Sequence, residues 1–93
     1  MTIEEIKERI IPILGRSGIK KAAIFGSLAK GEIKPDSDVD ILVEIKSDIS
    51  LLDFIGIRIK LEEALKMKVD LVEYDTIKPT IKERILAEQV VIL

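Results

Sequence analysis

The sequence predicts a small α/β domain with a mixed sheet of three to four strands flanked by helices. Three observations lead there. Helix-like and strand-like stretches follow in the order helix, strand, strand, helix, strand, helix. Each helix-like stretch opens on a capping pattern. The strand-like stretches are short, branched apolar runs set off by Gly, Pro or Asp. Ninety-three residues give one domain, 1–93, with a single core and no second lobe.

Thr2 with Glu5 forms a capping box, and Ile3, Ile6, Ile10, Ile13 and Leu14 follow at helical spacing until Gly15 and Gly18 end the helix. Ile19 to Phe25 reads as a short buried strand that stops at the Gly26-Ser27 turn. Ser27 to Lys30 can form one helical turn before Gly31, and Pro35-Asp36-Ser37 is a loop. Asp40 to Ile45 reads as a second strand. Ser50 with Asp53 caps a long helix reaching about Lys66. Its apolar residues Leu51, Leu52, Phe54, Ile55, Ile57, Ile59, Leu61 and Leu65 cover more than half the circumference, a wider arc than one core-facing stripe needs. Val69 to Tyr74 is a third strand, Pro79-Thr80 a loop, and Thr80 with Glu83 the cap of a last helix. The final residues, Val90-Val91-Ile92-Leu93, are all apolar.

Composition narrows the chemistry. The chain is 47% hydrophobic and 34% charged, which fits a folded domain. It carries no cysteine and no histidine, so disulfides, thiolate zinc, a cysteine nucleophile and an imidazole base are excluded. Catalysis must run on carboxylates, lysines, hydroxyls and oxygen-bound metals. The formal charge of -2 and only three aromatic residues argue against a long nucleic acid as partner. Met1-Thr2-Ile3-Glu4-Glu5 lacks the basic and apolar regions of a signal peptide, and no apolar run reaches membrane length; a cytoplasmic protein is expected.

The candidate site lies between the first two strands. A glycine ending a strand, followed by serine at a helical turn, presents backbone N–H groups to an anion, and Gly26 lets phosphate approach closely. Asp38 and Asp40 are spaced to share one face of an extended segment. Gly-Ser is a common turn and Asp-rich turns are common loops. Asp40, however, abuts the apolar run Ile41-Leu42-Val43, where an uncompensated charge is costly and a bound cation offsets it. Asp70, in Val69-Asp70-Leu71, joins the pair if the third strand lies beside the second. Three carboxylates can bind two Mg²⁺, with Asp70 placed to accept a proton from an attacking hydroxyl.

Gly26-Ser27-Leu28-Ala29-Lys30-Gly31 followed by Ser37-Asp38-Val39-Asp40 resembles the signature of the DNA polymerase beta-like nucleotidyltransferase superfamily. The whole chain is similar to the minimal nucleotidyltransferases (MNT) of prokaryotes. That resemblance implies a polymerase beta-like palm core, with Asp38, Asp40 and Asp70 as catalytic ligands of two Mg²⁺. Gly26, Ser27, Lys30 and Ser37 would bind the nucleotide. The family often has Arg where this chain has Lys30, which keeps the charge and loses the planar fork.

The resemblance further implies transfer of AMP from ATP onto a hydroxyl, typically a tyrosine, of a helical HEPN-type protein toxin, for which the chain acts as antitoxin. Two alternatives stand beside it: a catalytically silent antitoxin that neutralises by binding alone, and nucleotidyl transfer to a small molecule. The second is disfavoured because no lobe is left to enclose such a substrate. The wide apolar arc and the apolar C-terminus fit burial against a partner; a wholly internal core in a thin domain explains them equally well.

Overall fold

Thr2 opens the first helix as its capping pattern predicts, its hydroxyl accepting from the Glu5 N–H at 3.2 Å. The structure, a computed structural model, describes residues 2–26, 38–45 and 49–93. Helix α1 (Ile3–Arg16) buries Ile6, Ile10 and Leu14 at the i, i+4, i+8 spacing of one face. Gly15 lies inside the helix, and the chain leaves it at Gly18, which takes φ +79°.

Strand β1 (Lys21–Phe25) pairs antiparallel with β2 (Val39–Glu44). Helix α2 (Leu51–Leu65) crosses over to β3 (Val69–Glu73), which runs parallel to β2. The Ser50 hydroxyl accepts from the Asp53 N–H at 3.1 Å to start α2, and Lys66, at φ 56°, ends it. A 3-10 turn, Tyr74–Thr76, leads to α3 (Pro79–Glu88) and to β4 (Val90–Val91), giving the sheet order β3-β2-β1-β4. The mixed four-stranded sheet flanked by helices agrees with the fold class read from the sequence.

Two details differ from that reading. Thr80 does not cap the last helix: α3 begins at Pro79 with Lys78 as its N-cap, and no side-chain bond closes it. Proline suits a first helical position because its missing N–H would be unpaired there anyway. The apolar C-terminus, to which the sequence alone assigns no strand, supplies the fourth strand of the sheet. Val90 and Val91 pair with Ile24 and Ala23 of β1, and Ile92 is buried.

Strand alternation divides the interior into two layers. Ala22, Ile24, Val39, Ile41, Val43, Val69 and Leu71 face α1 and α2 in the larger core. Ala23 and Leu42 face the other way, against Tyr74, Ile77 and the α3 residues Ile85 and Leu86. The apolar arc of α2 is likewise divided. Ile57, Leu61 and Leu65 enter the core, whereas Leu51, Leu52 and Ile59 stay 73%, 80% and 44% exposed. Gly56 sits mid-helix with nothing within 4 Å of where a Cβ would be. Glycine there costs about 1 kcal/mol relative to alanine, and no neighbour in this chain requires it.

No helix among the described residues is long and apolar enough to cross a membrane.

Candidate active site

The ends of three strands meet at one edge of the α3-side face. The register places Phe25 opposite Asp40 across the antiparallel pair, and Asp40 opposite Asp70 across the parallel one. Facing residues on neighbouring strands project to the same side, about 4.8 Å apart between strands. The Asp40 and Asp70 carboxylates therefore leave the sheet side by side, on the face that carries Leu42. Asp38 immediately precedes β2, two residues from Asp40, and is exposed. The Val39 N–H donates to the Lys68 carbonyl at 2.8 Å, fixing the starts of β2 and β3 to each other. The Val69 N–H donates to Glu62 Oε2 at 3.1 Å, which ties the strand carrying Asp70 to the end of α2. Glu62 is a positioning residue the sequence did not single out: its bond spans the left-handed Lys66 turn, and no local pattern announces it.

Gly26 closes the other side. It takes φ +76°, and a Cβ built on it would collide with the Asp40 carboxylate, with Cγ at 3.2 Å and Cβ at 3.5 Å. The space a side chain would fill is thus occupied by Asp40, so any phosphate that Gly26 binds must come to its backbone from another direction.

Asp40 is half-buried between Gly26 and Asp70, and no lysine or arginine among the described residues pairs with it. Burial, then the Asp70 charge, then the Asp38 charge push its pKa from the ordinary 3.8 up to about 6. An acid raised in this way destabilises the fold once ionised. Below pH 3.8 the proton is held in both states and nothing is lost. As pH rises toward 6 the unfolded chain releases it first, so folded stability falls across that window and stays lower above it. Because Asp40 keeps part of its surface in water, the loss is about 1 kcal/mol after allowance for solvent screening. Asp40→Asn should therefore raise the melting temperature at pH 7.5 and leave it nearly unchanged at pH 3.5. Mg²⁺ should raise that of the wild type at pH 7.5 alone.

The structure brings Asp40 and Asp70 together and sets the Asp38 charge near enough to act on Asp40. Among the described residues the three do not form a closed set of metal ligands. The donors are hard carboxylate oxygens, none with a cationic partner among the described residues, which is the chemistry that hard divalent cations take. Ser27, Lys30 and Ser37 lie outside the described residues.

On the same face, the Tyr74 ring lies under Lys21 Nζ at 5.0 Å, and its hydroxyl donates to Gln89 Oε1 at 2.9 Å. Burial, and then the Glu44 charge, raise the Tyr74 pKa above its ordinary value, so the phenol stays protonated.

Residues 8–93 match the family described as polymerase beta, nucleotidyltransferase. A candidate protein adenylyltransferase of Methanocaldococcus jannaschii, MJ0435, is 50% identical over 93 residues, covering 100% of both chains. The protein adenylyltransferase MntA of Thermococcus cleftensis is 39% identical over 94 residues, covering 97% of this chain and 95% of that one. Among solved structures, a candidate minimal nucleotidyltransferase superposes with TM-score 0.84 at 32% identity, over 97% of this chain and 95% of the other. The MNT antitoxin bound to a tri-AMPylated HEPN toxin of Shewanella oneidensis shares the fold, with TM-score 0.75 at 20% identity over 97% of this chain and 71% of that chain. A match running from residue 8 to residue 93, with relatives of the same length, makes this chain a member of the polymerase beta nucleotidyltransferase family, among its minimal nucleotidyltransferases.

Proposed function

We propose that this chain transfers AMP from ATP onto a tyrosine hydroxyl of a HEPN-type toxin, and that it serves as the antitoxin of that protein. The observation that carries the reading is the Asp40–Asp70 pairing, two adjacent carboxylates with no cationic partner among the described residues. The protein adenylyltransferase relatives and the MNT–HEPN complex support the choice of nucleotide and partner.

Two Mg²⁺ held by Asp38, Asp40 and Asp70 would draw charge from the α-phosphate and from the departing pyrophosphate. Asp70 accepts the proton of the attacking tyrosine hydroxyl. The phenolic oxygen bonds to the α-phosphorus, the bond from that phosphorus to the oxygen bridging to the β-phosphorus breaks, and pyrophosphate leaves. The backbone N–H groups at Gly26 and Ser27 would hold the triphosphate, with Ser37 contributing to nucleotide binding and Lys30 adding positive charge.

The acceptor belongs to another protein. Tyr74 is the one tyrosine of this chain, and it is buried, hydrogen-bonded and held protonated. Tyr74→Phe should leave AMP transfer to the partner intact and cost about 1 kcal/mol of stability, the worth of one neutral hydrogen bond. Thermal unfolding and a transfer assay on the same preparation check both halves.

The proposal is tested by the intact mass of a HEPN-type protein after incubation with this chain, ATP and Mg²⁺. A gain of whole AMP units, absent when the acceptor tyrosine is replaced by phenylalanine, is expected. Unchanged mass together with a silenced toxin would instead favour an antitoxin that works by binding alone.

A further inference from the structure

The side of α2 that points away from the core has a composition the chain itself does not explain. Leu52 and Ile59 are exposed there, seven residues apart on one line of the helix, with Gly56 between them. Asp53 and Lys60, also seven residues apart, lie exposed along one flank, and neither has an ion-pair partner among the described residues. A cleft of about 440 Å³ separates this flank from α1, and Leu52, Asp53, Gly56 and Lys60 themselves line it together with Ile13 and Arg16 of α1. A soluble helix normally fills such a face with charge and avoids a central glycine. A glycine at the crossing point of two helices lets them approach at the short end of the usual interaxial range of about 8–10 Å.

The pattern is also its own complement. Turning a second α2 antiparallel across Gly56 brings Leu52 of one copy to Ile59 of the other. The same rotation brings Asp53 of each copy to Lys60 of the other, so the ion pair forms twice. That is the requirement of an isologous two-fold contact, in which one patch must match itself.

We infer that the outward face of α2 is a dimer interface at which a second copy of this chain packs antiparallel, with the crossing at Gly56. The carboxylates lie on the opposite face of the sheet, so each copy keeps its site open outward. The assignment is independent of the transferase reading, since it uses none of the site residues.

Sedimentation equilibrium of the full chain tests it. The wild type should show a reversible dimer at concentrations up to about 100 µM, which populate pairs of micromolar Kd. Asp53→Lys and Lys60→Asp alone each set like charges against one another, and each should weaken association at least about tenfold. Mixing the two single variants, or combining both exchanges in one chain, restores opposite charges and should restore association. Circular dichroism confirms that the variants remain folded. A wild type that stays monomeric throughout, or single reversals without effect, would overturn the inference. So would a monomeric chain whose α2 amides gain hydrogen-exchange protection only when a HEPN protein is added, which would give the face to that protein.

Discussion

Asp38→Ala combined with Asp40→Ala should abolish AMP transfer to the partner while making the protein no less stable at neutral pH. The two effects have opposite signs for one reason. Asp40 sits half-buried against Gly26 and beside Asp70, and its pKa of about 6 records how unfavourable its charge is there without a cation. Removing the charge relieves burial and repulsion in the isolated protein. Removing it also takes away two of the proposed ligands through which metal would stabilise the transferring phosphate. Such stabilisation is worth several kcal/mol, and each 1.36 kcal/mol is tenfold in rate, so the loss should be at least about a thousandfold. A merely structural role for these residues predicts the reverse, lower stability with activity falling only in step with the unfolded fraction. Transfer rates and melting curves on one preparation separate the two.

Gly26→Ala should damage both fold and activity, though the change adds a single methyl. At φ +76° any side chain pays about 1–2 kcal/mol for the left-handed backbone. The new Cβ would also strike the Asp40 carboxylate, so either the β1 end or Asp40 must move. Together these should cost about 2–3 kcal/mol. A carboxylate displaced by an ångström loses reaction geometry worth about a hundredfold in rate. Gly56→Ala is the internal control, because its Cβ meets nothing within 4 Å and the helix gains propensity; it should be neutral or stabilising in the monomer.

Much of this arrangement was legible in the residues because its determinants are local. The Thr2 and Ser50 caps each follow from short-range rules that the structure obeys. The Asp40–Asp70 neighbourhood was conditional on β3 lying beside β2, and the register supplies that condition. What escaped was decided over longer distances or by ambiguous signals. Pro79-Thr80 reads as a loop because proline marks both turns and first helical turns, and only the observed backbone distinguishes them. Val90–Val91 is too short to announce itself as a strand; its identity comes from pairing with β1, far away in sequence. The division of α2 between buried Leu61 and exposed Leu52 depends on where α1 and the sheet lie, which periodicity alone leaves open once the apolar arc exceeds half the helix.

The most direct test of a two-metal AMP transferase is to incubate the protein with ATP labelled at the α-phosphate, Mg²⁺ and the HEPN partner, beside the Asp38→Ala/Asp40→Ala variant and a chelator control. The account predicts label on the partner with wild type and Mg²⁺ only, and none on this chain. Label that persists in the double variant or without Mg²⁺, or no label from an intact, partner-bound wild type, would contradict it.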